Sequence, residues 1–182
     1  TAWLGNTREA IGREKAGIFR RDRPAICADP NPPRVIAAEA DRIGARLLQI
    51  NRDFTVERGA TEWNWRFGQR LRAGLPYPAL RGDYQLFNAA AALMALETLA
   101  ARFPLTQADV RAGLLAAVIP GRFQVLPGQP LCVFDVAHNP QAARSLAATL
   151  KQQRIDGRTL AVIGMLKDKD IVSVVSPLAD VV

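Results

Sequence analysis

Apolar positions fall at helical spacing through REAIGREKAGIFR, residues 8–20, where Ile11, Lys15 and Ile18 stand i, i+4 and i+7 and share one face. A lysine on that stripe is the first irregularity in the pattern. Asn6 with Glu9 three residues on reads as a capping box, Gly17 as the stop, and Gly12 weakens the middle. RPAICAD then reads as a short buried strand and DPNPP as a turn, with Pro33 placed for a helix start. RVIAAEADRIGA has helical period and ends at Gly44, and ARLLQIN is the next strand. Strand, helix and strand with short links predict a βαβ unit and a parallel sheet.

The helical period disappears from Phe54 to Leu80. FTVER and EWNWRFG alternate, which predicts an antiparallel excursion of two or three strands with Trp63 and Trp65 on one face. A long helix is expected from Tyr84 to Arg102, and Thr106 with Asp109 opens another in LTQADVRAGLLAAV. IPGR, a Pro-Gly breaker after a helix, is the best domain boundary in the chain. Beyond it come RFQVL, LCVFDVAH, a helix from Pro140 to Gln153, a strand in TLAVIGML and a final helix running to Val182. Three strands and two helices make half an open sheet. The expectation is therefore an α/β fragment with domains over residues 1–119 and 120–182, the second truncated.

Composition changes this picture little. Of 182 residues, 49% are hydrophobic and 23% charged, which excludes a disordered chain. No apolar run has the length of a membrane span, so cytoplasm is expected and a membrane partner is not. Cys27 and Cys132 lie in apolar runs and read as buried, reduced thiols rather than a disulfide. The net charge of +7 favours an anionic partner, whether nucleic acid, nucleotide or acidic small molecule. Its arginines are scattered, among them Arg8, Arg13, Arg20, Arg66, Arg72 and Arg81, with no zinc-finger spacing or RNA-stacking motif.

Lys15 admits two readings. Its stem can lie along apolar surface with the ammonium in water. Alternatively, a desolvated lysine loses its proton near neutral pH and becomes a nucleophile. Carbon dioxide would convert that amine into a carbamate, an oxygen anion suited to a hard cation such as Mg2+.

AWLGNTREAIGREKAGIFR resembles the segment that follows the nucleotide-binding core of the dihydrofolate synthase / folylpolyglutamate synthase family, within the Mur-ligase-like ATP-dependent amide ligases. GDYQLFNAAAAL, IPGRFQ, FDVAHNP and VIGMLKDKD extend the resemblance in order along essentially the whole chain. It implies the later part of a central ATPase domain, a parallel sheet with an antiparallel excursion, followed by an incomplete Rossmann-like C-terminal domain. It implies that Lys15 is the carbamylated residue near the catalytic metal and that Asn88 contacts adenine, which suits an amide that both donates and accepts. The competing reading of Asn88 alone is an asparagine near a helix start that caps or bonds locally. By the same resemblance Arg122 reaches the nucleotide with a permanent forked charge, and Asp135 contacts it at the carboxyl end of a strand. Read alone, Arg122 is a solvated linker charge. His138, the single histidine, reads alone as structural; the resemblance places it near the γ-phosphate or the incoming glutamate.

The family's phosphate-cradling loop departs from this sequence: no G-x-x-x-x-G-K-[ST] occurs in the 182 residues. These residues alone are thus expected to be inactive and to bind ATP weakly. The implied activity is ATP- and Mg2+-dependent addition of L-glutamate to dihydropteroate, dihydrofolate or other folates through an acyl phosphate, by a monomer without nucleic-acid partners. Another Mur-type amino-acid ligase and a basic nucleic-acid-binding α/β module are the competing readings.

Overall fold

A computed structural model describes residues 7–153 and 157–182. Contacts gather the chain into two units. The first comprises Thr1–Tyr77 and Leu86–Ala116, the second Pro78–Gln85 and Ala117–Val182. The break falls after Ala116, close to the Pro-Gly boundary, but the second unit also takes a segment from the middle of the first.

In the first unit, helix α1 (Arg8–Ala16) ends at Gly17, whose N–H returns to the carbonyls of Glu14 and Lys15. Its cap is Thr7, whose hydroxyl accepts from the Ala10 N–H at 3.1 Å; Asn6 lies outside the described residues. Glu9 does not close a capping box. Its two carboxylate oxygens accept instead from the N–H groups of Arg34 and Val35 at 3.0 and 2.9 Å. Those are the first residues of helix α2 (Arg34–Ile43), where Pro33 as cap has no side-chain acceptor to offer. Gly12 completes the α1–α2 contact, since a Cβ there would meet Val35 at 2.8 Å and Pro33 at 3.0 Å.

Strands β1 (Pro24–Cys27) and β2 (Arg46–Gln49) pair in parallel across α2, with Ala25 opposite Leu47 and Ile26 opposite Leu48. The predicted βαβ unit is present. Strands β3 (Phe54–Arg58), β4 (Glu62–Phe67) and β5 (Arg70–Pro76) form the antiparallel excursion in the order β3-β4-β5. Trp63 and Trp65 share its buried face at 1% and 0% exposure. Between them the β4–β5 register shifts, and the Gly74 N–H in the extra loop of β5 is taken by the Asn64 side chain at 2.9 Å. Helices α3 (Tyr84–Thr98) and α4 (Gln107–Ala116) complete the core, in which Leu86, Ala90, Met94 and Val110 pack with Phe54, Trp65 and Leu75. Helix α3 stops four residues short of the predicted Arg102. Thr106 and Asp109 do form a reciprocal box at the start of α4, and these hydrogen bonds hold the Asp109 carboxyl below the usual carboxylate range.

The second unit departs further from the pattern. Strands β6 (Gln124–Leu126) and β7 (Cys132–Phe134) pair antiparallel, and helix α5 (Pro140–Lys151) follows, capped by Asn139 with Pro140 in the first turn. Ala143 and Ala147 on α5 are buried, as are Val174 and Leu178 of the C-terminal helical turns. The run TLAVIGML is not a strand. Leu160 is 85% exposed and Leu166 71%, and no described strand pairs with them, so the ladder hydrogen bonds a strand needs are missing. The final helix is also shorter than expected: α6 (Ile171–Val175) gives way to a 3-10 turn, Ser176–Leu178, at Pro177. Cys27 is half-buried, and burial is the main influence raising its thiol pKa. Cys132 is exposed, not buried as its apolar flanks suggest, because it shares the open face of β7 with Phe134 while only Val133 on the other face is half-buried. Both thiols are free.

Candidate functional site

The clearest constellation is in the second unit and grows from the Pro-Gly break. Ile119, Pro120, Gly121 and Arg122 make a turn closed by the Arg122 N–H on the Ile119 carbonyl at 3.2 Å, with Gly121 at φ +71°. Proline in the second position and a left-handed glycine in the third are what a type II turn requires. Three bonds hold the turn, two of them to the loop after β7 and one to the Gln124 side chain of β6. The Val136 N–H donates to the Gly121 carbonyl at 2.9 Å, the Gly121 N–H to Gln124 Oε1 at 3.0 Å, and the Phe123 N–H to Asp135 Oδ2 at 2.8 Å.

Asp135 therefore has a structural task that the sequence did not show. Its second oxygen accepts from the Ala137 N–H at 2.8 Å, so one half-buried carboxylate joins the IPGRF turn to the DVAHN loop. Three residues on, His138 is exposed with Nδ1 3.0 Å from the Val136 carbonyl, and Asn139 begins α5. Arg122, Asp135 and Asn139 line a cleft of about 220 Å3 together with Arg81, Gln141 and Ser145. Two guanidinium groups, a carboxylate, two amides and a hydroxyl beside a helix N-terminus can bind a polyoxygenated anion and hold its hydroxyls.

Arg122 and Asp135 are thus brought to one cleft, with His138 on the loop that follows Asp135. Lys15 and Asn88 belong to the first unit, both exposed. Lys15 does not face inward as the i, i+4, i+7 stripe suggests. The buried face of α1 is made by Gly12 and Ala16, and Ile18 is 78% exposed. Because α2 comes so close at Gly12, the contact is made by small residues, which rotates the large apolar side chains out of it. Arg81 and Asn139 were missed. Asn-Pro at a helix start was a legible signal for Asn139, whereas Arg81 sits 41 residues before Arg122 in a loop with no motif of its own. Among the described residues no three His, Cys, Asp or Glu side chains converge, so these residues do not by themselves offer a metal site.

Gly121→Ala tests the geometry of the turn. An added Cβ would lie 2.7 Å from Val136 Cγ1 at a φ that L-residues avoid, which adds about 1–2 kcal/mol of backbone cost to the clash. The expected result is faster hydrogen exchange at the Phe123 and Val136 amides, with exchange in β3–β5 unchanged.

The family description "Mur ligase, glutamate ligase domain" matches residues 121–182. The Dihydrofolate synthase/folylpolyglutamate synthase of Escherichia coli (strain K12) is 44% identical over 182 residues, all of this chain and 42% of that protein. Among solved structures, Escherichia coli FolC in complex with DHPP and ADP superposes with a TM-score of 0.89 at 41% identity, covering 100% of this chain and 42% of its own. A bifunctional folylpolyglutamate synthase/dihydrofolate synthase with Mn, AMPPNP and L-Glutamate bound gives a TM-score of 0.87 at 44% identity, covering 100% and 43%. The chain spans about two fifths of the length of the curated relatives it matches, as in the first of them, 42%. Five motif segments in order, a mixed α/β fold with parallel and antiparallel sheets, and likeness along all 182 residues agree: the whole chain is similar to dihydrofolate synthase/folylpolyglutamate synthases, and residues 121–182 match the glutamate ligase domain of Mur ligases.

Proposed function

We propose that the protein carrying this chain is an ATP-dependent ligase that adds L-glutamate to dihydropteroate, to folates, or to both, through an acyl phosphate. The first unit would be the later part of the central ATP-binding domain, and the second the beginning of the glutamate-ligase domain. Support comes from relatives solved with AMPPNP and L-Glutamate, or with DHPP and ADP. The observation that carries the reading is the cleft in which Asp135 fixes the turn bearing Arg122.

The chemistry follows from those groups. The planar guanidinium of Arg122 can fork onto phosphate oxygens. Asp135 can accept from ribose hydroxyls only with lone pairs left over from its two backbone bonds; a carboxylate has about four acceptor sites, so capacity remains. His138 Nδ1 donates to the Val136 carbonyl, which leaves Nε2 as a lone-pair acceptor for the glutamate amine and as a donor to a phosphate oxygen only in the imidazolium form. Asn88 on α3 is the candidate adenine contact. Among the described residues no three His, Cys, Asp or Glu side chains converge to hold a divalent ion. Lys15 as a carbamate would need partners beyond them.

The test is glutamate-dependent ADP release by the full-length protein with dihydropteroate, dihydrofolate or tetrahydrofolate as acceptor. Arg122→Ala should lower kcat/KM for ATP about 10- to 100-fold, the range for losing a charge-assisted bond. A folded wild-type protein that releases no ADP with any of these acceptors would refute the proposal.

A further inference from the structure

Phe123 is the unusual residue of this site. It has φ +45°, a left-handed conformation that an aromatic L-residue seldom adopts, yet it is only 4% exposed. Such a conformation persists when its surroundings over-determine it. Two restraints are visible. The Phe123 N–H is held by Asp135, and the guanidinium of Arg81 lies over its ring, 5.9 Å from the centroid.

Arg81 is itself fixed at two points. Its Nη1 donates to Gln153 Oε1 just beyond α5. Next to it Gly82, at φ +109°, runs so close to its surroundings that a Cβ would meet the Tyr84 ring at 2.7 Å and Thr149 Oγ1 at 3.3 Å. The segment holding Arg81 is therefore docked on α5, and its guanidinium is presented to the Phe123 ring from a defined place.

We propose that Arg81 is a positioning residue for Arg122, acting through Phe123. By holding the ring it holds the left-handed backbone directly after Arg122, and with it the direction in which that guanidinium leaves the turn. The inference rests on the ligase reading above.

A double-mutant cycle in the full-length protein tests it. Arg81→Met keeps the aliphatic stem and removes the charge, so packing on α5 is largely retained. It should raise the KM for ATP about three- to fivefold, the scale of one exposed cation–π contact, and change the KM for L-glutamate by less than about twofold. Arg81→Lys should recover about half of that loss, because an ammonium still faces the ring. In an Arg122→Ala background, Arg81→Met should add less than about a twofold further rise, since there is no guanidinium left to position. A full rise in that background would show Arg81 acting independently of Arg122 and overturn the proposal. So would an unchanged KM for ATP in the single variant, or equal losses for ATP and glutamate. Wild-type ADP release, measured alongside, tests the ligase reading separately.

Discussion

Lys15→Ala in the full-length protein is expected to lower the rate of the proposed ligase reaction about 100- to 1,000-fold, the scale seen when a group that stabilises transition-state charge is removed. The side chain is exposed on α1, so the same change should alter stability by no more than about 0.5 kcal/mol. That contrast makes the variant informative: a loss of rate without a loss of fold assigns Lys15 to chemistry. Lys15 is exposed within these residues, which span about two fifths of the relatives' length, so the carbamate reading rests on the GREKAGIF resemblance. Lys15→Arg separates the remaining possibilities. Arginine keeps the charge but does not form a carbamate, so it should be as inactive as alanine. Short-chain carboxylates added to the alanine variant should restore part of the rate. An arginine variant with most of its kcat would make Lys15 a simple cationic support.

Trp65 governs the largest effect on stability. Its ring is fully buried at the centre of β4, 6.5 Å from the Phe54 ring and 6.3 Å from that of Phe67. Trp65→Ala should destabilise the first unit by about 3–5 kcal/mol, as a large cavity opens among residues that cannot collapse into it. Trp65→Phe should cost far less. The indole Nε1 is buried with no hydrogen-bond partner among the described residues, whereas that of Trp63 reaches the Pro76 carbonyl at 2.9 Å. Phenylalanine loses part of the packing but removes a stranded donor whose desolvation costs about 1–3 kcal/mol. Hydrogen exchange across β3–β5 measures both variants. Equal losses for alanine and phenylalanine would mean that the Nε1 group is satisfied in solution.

Secondary structure in the first unit was largely legible because periodicity and packing agree there. The βαβ pattern, the alternation through Trp63 and Trp65, and the Thr106–Asp109 box all correspond to observed features. Where the contact is made by small residues the pattern misleads. Gly12 and Ala16 are weak in any count of hydrophobic side chains, yet they are the buried residues of α1, so the stripe through Ile11, Lys15 and Ile18 selected the wrong face. TLAVIGML shows the complementary failure. Its composition is that of a strand, but a strand exists only with a hydrogen-bonded neighbour, and pairing is a non-local property that no window of sequence contains. The same holds for the cleft. Arg122 and Asp135 lie in motifs and could be proposed, while the role of Asp135 in holding Phe123, and the arrival of Arg81 over that ring, depend on loops that meet only after folding.

The grouping of Pro78–Gln85 with the second unit bears on how this protein can be dissected and how it emerges from the ribosome. A cut at the Pro-Gly break looks natural from the sequence, yet it would leave Arg81, Gly82 and Tyr84 on the wrong side. A piece beginning at Ala117 would expose the Phe123 ring and the flank of Thr149, and would lack one of its two cleft arginines. During synthesis the segment 78–85, which runs into the start of α3, is made before α4 and has to wait for α5, its docking surface, to follow. The intervening chain adds only a modest loop-closure cost, which grows with the logarithm of its length. Completion of the cleft is therefore a late event, deferred until the polypeptide has passed well beyond the residues that begin it.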